Sequence, residues 1–134
     1  MQEEVAVAAK DDLLDAVARG DTDAAAAALD AGASPDAADR YGVTALVRAA
    51  GRDDQAMVDL LLARGAQVDK STAQDNTALM LASARGHREM VARLLKAGAD
   101  PAHRNKWHFT ARDWANWPAE SADVQAMLDQ ARGR

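Results

Sequence analysis

The 134-residue chain has no cysteine, three prolines and only five aromatic residues. Without cysteine there is no disulfide framework and no thiolate metal site, which fits a reducing compartment such as the cytoplasm. With so few aromatics, a core must rest on Leu, Val, Met and Ala. Long apolar runs are missing as well. Nothing approaches the roughly 20 residues of a membrane span. The first ten residues carry Glu3 and Glu4 in place of the apolar stretch of a signal peptide. Basic charge is in deficit, with 16 Lys and Arg against 21 Asp and Glu for a net charge of −5. A nucleic-acid binder needs an electropositive footprint, so this balance argues against one. The length suits one domain, 1–134, with a core of ordinary size.

Signatures of catalysis are also lacking. The chain shows no Gly-rich phosphate loop and no Ser-His-Asp pattern, and His87, His103 and His108 do not fall at a ligand spacing on one helix. The acidic pairs Asp11-Asp12 and Asp53-Asp54 sit at expected helix starts. There a carboxylate stabilises the positive end of the helix dipole, so capping accounts for them better than acid–base chemistry. The sequence predicts no enzyme, no cofactor and no metal.

What is present is a repeat. Thr44, Thr77 and Thr110 are 33 residues apart, each followed by Ala, and Gly32, Gly65 and Gly98 keep the same period. A fixed period in this range means stacked supersecondary units. The clearest copy runs from Thr77 through Leu79-Met80-Leu81 and Gly86-His87 to Gly98-Ala99-Asp100, and reads as helix, turn, helix and stop. Register then divides the chain into repeats at about 11–38, 39–71, 72–104 and 105–134.

In the first repeat, Asp11 falls where the Thr caps fall later and is predicted to cap a helix carrying Leu13, Leu14 and Val17. Residues 1–10 either extend that helix, since Val5, Ala9 and Leu13 are spaced at i, i+4 and i+8, or form a separate arm. Gly20 breaks the helix, and an Ala-rich second one ends at Gly32. The second helices of the next two repeats carry matching stripes, Met57-Val58-Leu61-Leu62 and Met90-Val91-Leu94-Leu95. In the last repeat Pro118 falls in a loop, Ser121 is predicted to cap the final helix, and Val124, Met127 and Leu128 continue the stripe.

Thr-x-Leu at this period, Gly-His after the first helix and Leu-Leu-x-x-Gly-Ala-Asp closing the second resemble the ankyrin repeat. The resemblance implies an all-α solenoid of antiparallel helix pairs with hairpin-like loops projecting at one edge. It also implies a non-catalytic role in which loop tips and the inner face of the first helices bind a protein partner. This chain departs from the pattern in places. The Pro after Thr is Ala (Ala45, Ala78, Ala111). The His two residues further on is Val47, Met80 and Asp113, which removes the hydrogen bonds it makes between neighbouring loops. The hairpin Gly survives at Gly42 but is Asp75 and His108 in the next two copies. Both residues tolerate positive φ better than most, so the turns are expected to persist, less tightly set.

Register also sorts scattered residues into columns. Arg19, Arg52 and Arg85 stack at the ends of successive first helices, and the column two positions on is acidic at Asp21, Asp54 and Glu120. They form either a basic ladder for a partner or charge neutralised in place. Asp15 and Arg48 occupy equivalent places in adjacent repeats and are predicted to pair across them. Trp114 in the same column should cover the end of the core. The loop tips hold Arg40, Tyr41 and Val43, then Ala73, Gln74 and Asn76, then Lys106, Trp107 and Phe109. Trp, Tyr and Arg are enriched in binding hot spots. The alternative is that Trp107, Phe109 and Trp117 fold back to seal the last repeat, and for Trp117 this reading is preferred.

The candidate partner-binding set is therefore Arg40, Tyr41, Arg52, Arg85, Lys106, Trp107 and Phe109. It would serve a monomeric cytoplasmic adaptor or inhibitor with a protein partner, possibly an acidic one. No nucleic acid and no membrane is expected. The Ala-, Arg- and Asp-rich texture suggests a bacterial source. The competing reading is a self-associating or engineered stack with no dedicated partner.

Overall fold

The computed structural model describes residues 2–115 and 122–132. Their helices alternate as first and second members of four pairs: α1 (Gln2–Arg19) with α2 (Thr22–Asp30), α3 (Ala45–Gly51) with α4 (Gln55–Ala63), α5 (Ala78–Ala84) with α6 (Arg88–Lys96), and α7 (Ala111–Ala115) with α8 (Ala122–Arg132). No strand occurs among the described residues, although an antiparallel bridge joins Ala38 to Thr44. The first helices pack in file, α1 on α3, α3 on α5 and α5 on α7, while α2 meets α4 and α6 meets α8.

Local chemistry sets the helix ends. Thr44 Oγ1 accepts from Val47 N at 3.1 Å and Thr77 Oγ1 from Met80 N at 3.3 Å. Asp21 and Asp54 do the same for α2 and α4. Each such cap satisfies one orphan donor and contributes on the order of 1 kcal/mol. Thr110 and Asp113 form a reciprocal cap. The Thr110 hydroxyl accepts from Asp113 N, and the Asp113 carboxylate accepts from Thr110 N at 2.8 Å. This is the capping-box arrangement with Asp in place of Glu, so the substitution that loses one family contact supplies another. Gly32, Gly65 and Gly98, at φ of 108°, 94° and 96°, stand just past the second helices, where only a left-handed residue satisfies the last carbonyls.

Asp11 does not begin a helix. It lies in the middle of α1, exposed, and α1 continues to Gln2. The apolar spacing that reaches back from Leu13 to Ala9 keeps one face buried, with both residues at 3% exposure or less. Helix propagation therefore overrides a cap signal that has no chain break before it. Trp117, Pro118, Glu120 and Ser121, assigned roles from sequence, lie outside the described residues.

The core is one continuous strip through all four pairs. Met57, Val58, Leu61, Met90, Val91 and Leu94 are fully buried, as are Leu46, Leu79 and Met80, and Leu62 and Leu95 are half-buried beside them. Val47 and Met80 fill the interior where the family carries His. Trp114 packs half-buried against the strip, in the same short helix as the buried Ala111 and Ala115.

Candidate functional site at the hairpin tips

Three loops project between successive helix pairs, and all three are built alike. In the first, Asp39 N donates to Val43 O and Gly42 N to Asp39 O, both at 3.0 Å. In the second, Thr72 N donates to Asn76 O at 2.9 Å and Asp75 N to Thr72 O at 2.8 Å. In the third, Asn105 N donates to Phe109 O and His108 N to Asn105 O, both at 2.9 Å. An i→i+3 turn followed by a left-handed residue is the geometry of a bulged hairpin. The left-handed position is Gly42 at φ 79°, Asp75 at 63° and His108 at 69°. The turns persist without Gly, as expected, and the closing bonds are as short in the second and third loops as in the first.

A column missed from sequence holds each tip in shape. Asp39 Oδ1 accepts from Tyr41 N at 2.8 Å and Val43 N at 3.0 Å. Thr72 Oγ1 accepts from Gln74 N and Asn76 N at 3.3 and 3.2 Å. Asn105 Oδ1 accepts from Trp107 N and Phe109 N at 2.9 and 3.0 Å. Asp39, Thr72 and Asn105 are different residues doing one job, each lending an oxygen to the two amides that cross the turn. The signal was available in the 33-residue register, but not in residue identity. Asp39 also receives Arg48 Nη2 at 2.8 Å. Burial pushes its carboxyl up, yet the two amides and the Arg48 guanidinium outweigh that and hold it below its ordinary value of 3.8.

Neighbouring tips are tied together. Lys106 N donates to Gln74 O at 2.9 Å, Asn105 Nδ2 to Asn76 Oδ1 at 3.0 Å, and His103 Nε2 lies 3.0 Å from Asp75 O. Between the first two tips, a Cβ at Gly42 would stand 3.1 Å from Ala73 N, so Gly here permits close approach as well as positive φ. The missing His bonds are thus replaced by others, and the tips form one edge.

That edge presents the predicted residues. Tyr41 is 65% exposed, Trp107 55% and Phe109 48%, and these three are the large exposed hydrophobics among the described residues. Trp107 and Phe109 therefore project instead of sealing the last repeat. Arg40 stacks over the Tyr41 ring at 5.0 Å, within cation–π range. Arg40 and Lys106 are exposed, and neither joins an ion pair among the described residues.

Arg52 and Arg85 stand elsewhere. Arg52 Nη1 donates to Val17 O at 3.3 Å, and Arg85 Nη1 to Gly51 O at 2.6 Å. Each guanidinium reaches back one repeat to a carbonyl at the end of the preceding first helix, where a cation suits the negative end of the dipole. Both residues remain exposed and keep further donors free for solvent. Arg19 pairs with Asp15 at 3.1 Å and lies 4.0 Å from Asp21. The predicted Asp15–Arg48 pair is absent. Arg48 is held by Asp39, nine residues earlier in its own repeat, and Asp15 by Arg19 one turn away. In each case a partner preset within the repeat lies nearer than one across it.

Two grooves lie between second helices. The groove between α6 and α8, about 400 Å³, is lined by Leu95, Pro101 and Met127, with Lys96 as its charged residue. Between α4 and α6, Asp59 is paired with Arg93, and Glu89 accepts from Gln55. No His, Asp and Glu cluster suited to a metal ion occurs among the described residues, and no described helix is long and apolar enough to cross a membrane.

A family model described as ankyrin repeats matches residues 13–105 in three copies. The α7–α8 pair lies beyond the matched span and stacks on α5 and α6 in the same register. No curated protein matches the chain.

Proposed function

Because the chain belongs to the ankyrin-repeat family, whose repeats are generally protein-interaction modules, we propose that it is a non-catalytic adaptor or inhibitor that binds one protein partner through its hairpin tips. The observation that carries this reading is the exposure of Tyr41, Trp107 and Phe109 on loops whose backbones are already hydrogen-bonded in place. A rigid aromatic presented this way loses little entropy on binding. Arg40 and Lys106 supply charge beside the aromatics. Arg52 and Arg85, at the C-terminal ends of α3 and α5, are secondary contacts, since each already serves a helix end. An acidic partner suits this edge. Lack of cysteine supports a cytoplasmic setting, and the net charge of −5 supports a protein partner over nucleic acid.

Capture from a lysate of the source organism tests the reading when wild type is compared with Tyr41→Ala/Trp107→Ala. The expected result is a protein retained by wild type, lost by the double variant, and kept by an Arg64→Ala control at the C-terminal end of α4. Equal retention by all three would remove the tips from the site. Self-association is the second reading, favoured by the exposed Trp107–Phe109 pair on the last hairpin. Light scattering that shows a concentration-dependent dimer, abolished by Trp107→Ala, would establish it.

A further inference from the structure

The three tips are not equivalent. In register they read Arg40-Tyr41, Ala73-Gln74 and Lys106-Trp107. A cation beside an exposed aromatic therefore stands at each outer tip, and a small neutral pair stands between them. Gly42 packed against Ala73 and Lys106 N bonded to Gln74 O fix the spacing of the three. The result is a saddle with two posts.

Resting on the tip-binding reading above, we infer that the saddle takes an acidic, extended segment of the partner laid along the row of tips. Neighbouring helices in a packed stack lie about 8–10 Å apart, which puts the two posts roughly 16–20 Å from each other. An extended chain rises about 3.3 Å per residue, so about six residues join them. Residues i and i+6 of a strand project from the same face, and both can reach the row. Each anchor is apolar, to lie on Tyr41 or on Trp107 and Phe109. Each has a carboxylate beside it, to meet Arg40 or Lys106. Charge complementarity selects this occupant, because neither cation joins an ion pair among the described residues. The exposed Asp75 at the middle tip repels a carboxylate there, so the residues over the saddle are small and not acidic.

Panning a phage-displayed library of random 12-residue peptides on the full-length protein tests this. The expected outcome is enrichment of two apolar residues six apart, each flanked by Asp or Glu, with small non-acidic residues between. The selected peptides should bind at least tenfold more weakly to Trp107→Ala and to Lys106→Glu, and binding should weaken further as salt rises. Anchors at helical spacing, basic or uncharged winners, or no enrichment at all would overturn the inference. Those results would leave the tip-binding function standing if the captured partner still required Tyr41 and Trp107. Peptides that bind wild type and the Tyr41→Ala/Trp107→Ala variant equally would overturn both. The melting curve of each variant confirms its fold, and Lys106→Glu is an exposed alternative should Trp107→Ala unfold.

Discussion

The back of the stack and the row of tips use the same residue types for different ends. On the back, which is the layer of second helices α2, α4, α6 and α8, arginines find carboxylates one repeat away: Arg64 with Asp30 at 2.7 Å, Arg93 with Asp59, and Arg88 with Asp123 at 2.8 Å. At the tips, Arg40 and Lys106 have no such partner, and three large apolar side chains face solvent beside them. Cohesion between repeats is supplied by the core strip, the paired back and the hydrogen bonds at the loop bases. What the tips expose contributes little to holding the stack together, which leaves it free for recognition.

The largest effect belongs to the core strip that holds the stack. Leu94→Ala or Leu79→Ala, each at 1% exposure or less, should cost about 2–5 kcal/mol in a denaturant titration. A cost below about 0.5 kcal/mol would show that the helical register is wrong.

Next in size is the anchoring of the first tip. Asp39 carries a lowered pKa in the folded chain, so its stabilisation is complete above its ordinary value of 3.8 and is lost as pH falls through the lower folded value. Asn105 does the same work without titrating. Amide exchange at Tyr41 and Val43 should therefore accelerate in strong acid before that at Trp107 and Phe109. Simultaneous loss would mean that the two tips are not held independently. Asp39→Asn should abolish the difference.

Ser83 provides a smaller test. Its hydroxyl is buried with no hydrogen-bond partner among the described residues, while the equivalent position one repeat earlier is Ala50. An unmet buried hydroxyl costs about 1–3 kcal/mol, so Ser83→Ala should stabilise by roughly 1 kcal/mol. A loss of stability would show that the hydroxyl is satisfied in solution. Smallest of all is Arg64→Ala. Its pair with Asp30 is exposed at 37% and 68%, and such pairs are worth about 0–1 kcal/mol.

Much of this was legible in the sequence, because repeats write the same physics more than once. Thr44 and Thr77 as caps, the left-handed Gly65 and Gly98, and the turns at Asp75 and His108 all follow from residue type and register. The partners of long side chains did not. Arg48 and Arg52 have several carboxylates and carbonyls within reach, and the packing of the folded repeats decides which one each takes. The Asp39–Thr72–Asn105 column stayed hidden because three different side chains share one function. Asp11 matches a cap by register alone, but α1 runs through it to Gln2, the extension that the apolar spacing of Val5, Ala9 and Leu13 allows.

Charge reversal tests the division of labour most directly. Arg40→Glu/Lys106→Glu and Arg64→Glu/Arg93→Glu change net charge equally, one pair at the tips and one on the back. The measurement is the affinity of each for the captured partner, alongside its melting temperature. The tip pair should lose binding by 30-fold or more, which is about 2 kcal/mol, with an unchanged melting temperature. The back pair should melt lower and still bind. Binding lost on the back and kept at the tips would contradict that division of labour.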